Sequence, residues 1–267
     1  MKTVSNFDIV AEMTIIGNRC RHLAVVLTTV ATLVFFFSGW AGAGTFKVSP
    51  IRIDLDKDTK SGFVAVVNDG AERINTQIKL FEWTQDADGK DIYVESHDLI
   101  YFPRIMTINA GEERVLRVGL KASAVAKERT YRVFIEEIPQ PKKAPGAQVA
   151  IAIRFGVPIF VKPIKEDPKG ALAGLELSGG VLKIQVSNDG NTHFTITAIS
   201  VKGKNVKGEE VFSKDLTGWY LLGGSSRLYI AQIGDACKDV AALTVEVQTN
   251  KLNLTGNINV NEAMCRP

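Results

Sequence analysis

Asp86, Asp88 and Asp91 stand in the run T-Q-D-A-D-G-K-D, which resembles the first half of a calcium-binding loop. The bidentate glutamate and its spacing are missing, so the expected reading is a solvated hairpin turn. His97 and His193 lie far apart in polar stretches and form no ligand pair or proton relay. No glycine-rich phosphate loop, nucleophile elbow or paired-ligand motif occurs. No enzyme site can be assembled from these residues, and no metal or cofactor is implied.

The chemistry that remains is recognition by a strand. From Gln148 to Pro163 the chain reads Q-V-A-I-A-I-R-F-G-V-P-I-F-V-K-P, with Val149, Ile151, Ile153, Phe155, Val157 and Ile159 at every second residue. That is the period of a strand with one apolar face. Ala150, Ala152, Arg154, Gly156 and Pro158 occupy the other face. Pro158 has no N–H for a ladder, which predicts an edge strand, a bend or a strand end. A long apolar edge carrying only one early charge, Arg154, is open to pairing with another chain. A buried sandwich strand and a strand that pairs with another protein both fit the pattern.

The elements that must position this stretch follow an N-terminal segment to be set aside. Arg19, Arg21 and His22 precede an apolar run from Leu23 to Phe37, and Ala41-Gly42-Ala43 supplies small residues for cleavage. This predicts an export signal over 1–43, with Met13 an alternative start. The run is short for a membrane span, so no stable membrane association is expected after cleavage. The segment holds three basic and two acidic residues, so the net charge of +3 becomes +2 in the exported part. That is no footprint for nucleic acid. Cys20 leaves with the signal, and Cys237 and Cys265 remain as an even pair in an oxidising compartment. A disulfide is expected between them.

From Thr45 onward strand signals recur at intervals closed by Gly, Pro and Asn turns. An all-β fold of antiparallel sandwiches follows, with Trp83 expected as a core aromatic of the first. V-V-N-D-G at 66–70 returns as V-S-N-D-G at 186–190, and I-N-A-G-E-E-R-V-L at 108–116 as L-L-G-G-S-S-R-L-Y at 221–229. The repetition predicts two tandem immunoglobulin-like β-sandwich domains, 44–163 and 164–267.

The first of these resembles a PapD-like periplasmic pilus chaperone. The resemblance rests on V-S-P-I-R-I, the N-D-G turn, the strand ending in Trp83, F-P-R-I-M-T-I-N-A-G-E-E-R-V-L-R-V, R-V-F-I-E-E-I-P and P-I-F-V-K-P. It implies a periplasmic, non-enzymatic protein that captures pilus or fimbrial subunits by donor-strand complementation and passes them to an outer-membrane usher. It also implies that Val149, Ile151, Ile153 and Phe155 are the donor side chains and that Arg52 anchors the subunit's C-terminal carboxylate. The family's second anchor, a donor-strand Lys, falls on Pro158, which leaves two alternatives: Arg154 on the same face takes that role, or Arg52 anchors alone. Glu128, Lys162 and Asp235 correspond to charges that lock the two domains. An exported adhesion or carbohydrate-binding protein, with Trp219-Tyr220 as its platform, is the alternative, as is a chaperone for clients other than pili.

Overall fold

In a computed structural model of the chain, which describes residues 46–121, 126–139 and 152–266, the alternation of the sequence becomes strands. Strand β1 (Phe46–Ser49) and β2 (Ile53–Leu55) are separated at Pro50 and enter different sheets. The first sheet has the order β1, β3 (Ser61–Asn68), β8 (Glu113–Leu120), β6 (Leu99–Phe102). The second has the order β2, β10 (Arg154–Val161), β9 (Arg129–Glu137), β4 (Ile74–Gln85), β5 (Asp91–Glu95), with β7 (Ile105–Ile108) also on β4. Every pairing is antiparallel except that of β2 with β10. Leu55, Val64, Ile108, Leu116, Ile135 and Ile159 are fully buried between these two sheets.

A second sandwich follows. One sheet has the order β11 (Ala171–Ser178), β12 (Val181–Ser187), β16 (Ser226–Gln232). The other has the order β14 (Glu210–Thr217), β13 (Phe194–Lys204), β17 (Ala242–Thr249), β18 (Asn253–Asn259), with β15 (Tyr220–Leu221) on β13. Leu182, Ile184, Phe194, Ile199 and Leu243 form its buried centre. A 3-10 turn at Gly234–Asp239 and a short helix, α1 (Glu262–Cys265), close one end.

The internal repeat is a repeat of hydrogen bonds. Asn68 is fully buried and donates Nδ2 to the carbonyls of Glu72 and Ile108, while its Oδ1 accepts from Gly70 N. Asn188 repeats the pattern with Thr192, Leu221 and Gly190. In each sandwich the same Asn also exchanges backbone bonds with a distant glycine turn, through Gly111 in one and Gly224 in the other. Both glycines have positive φ, which the turn requires and a side chain resists. One side chain therefore ties two turns that lie far apart in sequence. Asn188→Ala would strip partners from buried carbonyls and is expected to lower stability by roughly 2–4 kcal/mol. Urea unfolding checks this, and a cost below about 1 kcal/mol would show the tie to be dispensable.

Candidate functional site

Strand β10 has two neighbours along only part of its length. It pairs with β9 from Arg154 to Val161, but β2 joins its other side only at Ile159, Phe160 and Val161. Among the described residues, nothing pairs with its outer edge from Arg154 to Pro158. The open edge extends upstream, since Glu137 N still donates to the carbonyl of Ile153. Pro158 sits on this one-sided half, where a missing N–H is tolerated. Val157, Ile159 and Val161 point into the first core, and Ile153 and Phe155 pack at its rim. Phe155 meets Phe46 edge to face, with ring centroids 5.0 Å apart. Val149 and Ile151 lie outside the described residues.

The opposite side chains of the sheet form a grid, because paired residues on adjacent strands share a face. Phe160 stands beside Asp54 and Thr130, Pro158 beside Arg132, Gly156 beside Phe134, and Arg154 beside Glu136. Arg52 reaches this face from the start of β2. Its Nε lies 2.8 Å from Asp54 Oδ2 and its Nη2 2.6 Å from Asp54 Oδ1. The guanidinium carbon stands 4.7 Å from the Phe160 ring centroid. At the other end Arg154 Nε bonds Glu136 Oε1 at 2.6 Å, and its guanidinium covers the Phe134 ring at 3.7 Å. Gly156 lets that ring lie flat, since a Cβ there would come within 2.8 Å of it.

Arg52 and Arg154 therefore do not converge. Arg154 is six residues along β10 from Phe160, about 20 Å at the rise of a strand, whereas Arg52 stands over Phe160 itself. A single carboxylate cannot be held by both. Of the two alternatives for the second anchor, strand length and Glu136, which also receives Lys79 and Gln77, count against Arg154.

The two sandwiches meet at the lower end of this face. Trp83, expected in the first core, is fully buried but belongs to a separate cluster with Phe160 and Leu222. The inward residues of β4 are Ile74, Thr76, Ile78 and Leu80, and Trp83 falls on the other parity. Arg132 lies 4.1 Å above the Trp83 ring, donates Nη1 to Tyr93 Oη at 2.6 Å and stands 3.7 Å from Asp91. Burial is the main force raising the Tyr93 phenol to about 12, so it stays a neutral donor to Asp91. Trp219 donates Nε1 to Asp91, and Gln85 bonds both Tyr220 O and Leu222 N. Both aromatics of Trp219-Tyr220 are thus engaged at the joint.

Glu128 is the carboxylate of the joint, and its partners differ from those expected. It is almost wholly buried; Oε2 accepts from His193 N and Nδ1, each at 2.7 Å, and Oε1 from Thr192 Oγ1 at 3.3 Å. The His193 ring in turn stacks on Phe160 with centroids 3.6 Å apart. Lys162 lies nearer Asp56 and Glu166, whose carboxyls its charge helps to hold down, after backbone N–H groups at Asp56 and Lys251 at Glu166. Asp235 is fully exposed in the 3-10 turn and pairs with Lys238. It takes no part in the joint, because its turn sits at the end of the second sandwich that also holds α1.

Cys237 and Cys265 are bridged, pinning α1 to the 3-10 turn across 28 residues. A loop of that size contributes about 3 kcal/mol, chiefly through the unfolded chain. Cys237→Ser with Cys265→Ser should lower urea stability by about that amount and leave the first sandwich's face unchanged. Two alkylatable thiols in the unreduced, denatured wild type would remove the bridge.

Sequence reasoning missed Asp54, Arg132 and His193. The first two were available from alternation, which puts them on the face of Phe160 and Phe134. His193 carried no signal, since its partner Glu128 lies 65 positions away.

The chain is thus a tandem of immunoglobulin-like sandwiches, the first with an unpaired strand edge, the kind of edge to which another strand can add. Residues 45–166 match the family model of pili and flagellar-assembly chaperones, PapD N-terminal domain, a family of chaperones. The "Probable fimbrial chaperone protein ElfD" of Escherichia coli (strain K12) is 24% identical over 202 residues, spanning 70% of this chain and 80% of that one. The fold is shared with the CsuC–CsuE chaperone–tip adhesion subunit pre-assembly complex from archaic chaperone-usher Csu pili of Acinetobacter baumannii. There the identity is 20%, with a TM-score of 0.57 over 79% of this chain and 98% of the other. The YadV chaperone gives 15% identity and a TM-score of 0.53 over 81% and 100%.

Proposed function

We propose that this protein is a periplasmic, non-enzymatic chaperone that captures pilus subunits by lending them the open edge of β10 and delivers them to an outer-membrane usher. The observation that carries this is the one-sided pairing of β10 from Arg154 to Pro158. A guest strand laid along that edge gains a backbone ladder, and the side chains at Ile153, Ile151 and Val149 continue the apolar row into the guest's groove. Arg52, at the joint, holds the guest's C-terminal carboxylate alone. The segment 1–43 is removed on export and the domains meet after Pro163. No described helix is long and apolar enough to cross a membrane. A carbohydrate platform at Trp219-Tyr220 is not favoured, because the Tyr220 ring packs edge-to-face on Trp83 inside the joint and Trp219, though partly exposed, stands among the described residues without a second aromatic face beside it.

The test is co-purification from the periplasm of a pilin-like subunit encoded beside this gene. Ile151→Asp places a charge in an apolar groove and should cut the subunit retained at least about tenfold, with the chaperone's melting unchanged. Wild-type retention by that variant would refute strand lending.

A further inference from the structure

Arg52 is held in place by more than its own strand. Its pair with Asp54 uses one N–H of Nε and one of Nη2. A guanidinium has five N–H donors, so three remain: one on Nη2 and both on Nη1. Two of those three, one on each Nη, line the end-on edge, which can grip a second carboxylate in bidentate fashion; the third points back along the side chain. Among the described residues Nη1 has no partner. The pair is about one-third exposed on each side, at 32% and 36%, so its contribution to stability is small. Its effect is on direction: with the side edge taken, the end edge is the one presented.

The flat face of the guanidinium is set by Phe160, and Phe160 is set by the other sandwich. The Phe160 ring is fully buried and lies nearly parallel to the His193 imidazole, 14° between planes. His193, itself 1% exposed, is fixed by two bonds to Glu128. A carboxylate acceptor at Nδ1 requires that nitrogen to carry a proton, and Nε2 is buried without a partner. One column of contacts thus runs from Asp54 through Arg52 and Phe160 to His193 and Glu128. Asp54, Arg52, Phe160 and Glu128 come from the first sandwich and His193 from the second.

On the reading that Arg52 anchors a guest carboxylate, we infer that Asp54 and His193 are positioning residues for it. Asp54 fixes which edge of the guanidinium faces the guest. His193 fixes the Phe160 ring on which the guanidinium rests, so the anchor is complete only when the second sandwich is docked. Asp54 is then a support for the guest carboxylate and not its competitor. The two roles have opposite signs on capture.

The experiment uses the full mature chain with the same co-expressed pilin-like subunit, measuring subunit retained per chaperone. Asp54→Ala and His193→Ala should each lower retention about fivefold or more. In an Arg52→Ala background neither should lower it further, since both act through that residue. His193→Phe keeps a ring against Phe160 and should restore retention to within about threefold of wild type. A readout without any subunit is the Arg52 Nε–Hε proton in the nuclear magnetic resonance spectrum, assigned by its loss in Arg52→Lys. It should exchange with water about fivefold faster in His193→Ala than in wild type, and not in Asp235→Ala. Higher or unchanged retention in Asp54→Ala would overturn its role as a support. Losses that add to that of Arg52→Ala, or an unchanged Nε–Hε exchange rate in His193→Ala, would overturn the column. Full retention by Arg52→Ala would instead refute the anchor reading on which the column rests.

Discussion

Arg52→Ala is expected to fold as wild type does and to lose subunit capture by about 2–5 kcal/mol, roughly 30-fold at the least. The first half of that expectation follows from exposure. Arg52 and Asp54 are both part-exposed, and such a pair contributes about 0–1 kcal/mol to folding. The second half follows from the free end of the guanidinium. A carboxylate bound there sits at the outer edge of a guanidinium packed against the buried Phe160 ring, where partial desolvation makes a charge-assisted pair stronger than in solvent. Removing the cation leaves the guest carboxylate desolvated and unpaired, which is the larger part of the loss. Arg154→Ala should cost capture less than about 1 kcal/mol, because Arg154 is tied to Glu136 and lies a strand's length away. Co-purification, with melting of the subunit-free chaperone as control, separates the two arginines. Equal losses from both would contradict the geometry.

Much of this was legible in the chain. Alternation over Ser61–Asn68 and Arg129–Glu137 gave strands because Val64 and Val66 in one, and Tyr131, Val133 and Ile135 in the other, turn every second residue into the first core. The N-D-G repeat was legible because Asn68 and Asn188 do one job with one residue type. β14 and β5 were not, since their apolar residues are few and none is fully buried: Phe212 and Leu216 only lean on a core, and Ile92 and Val94 are exposed. The side on which Trp83 lies was present in the period of two and overlooked: counting from Ile78 and Leu80 puts it outside the first core. The distance between Arg52 and Arg154 was not legible, because it depends on the register in which β2 pairs with β10. The pairing of Glu128 with His193 was not, because it depends on how two separately folded units meet. A sequence read strand by strand holds no register between them.

That joint gives the second large effect. Glu128→Ala is expected to destabilise the protein by about 3–5 kcal/mol, since it breaks a buried pair and strands its donors. The carboxylate is 2% exposed and satisfies the backbone N–H of His193, its imidazole Nδ1–H and the Thr192 hydroxyl at once. Alanine leaves two N–H groups buried without acceptors, each costing about 1–3 kcal/mol. The Asn191 contacts to Ala126 and Glu128 backbone remain, so the sandwiches stay joined while the Phe160–His193 stack loses its seat. Glu128→Gln keeps one acceptor and should cost less than alanine does. Asp235→Ala, by contrast, touches only an exposed partner and should change stability by no more than about 0.5 kcal/mol. Urea unfolding of the three variants decides the matter. If Asp235→Ala costs as much as Glu128→Ala, the joint is locked through the second domain's acidic turn and not through His193.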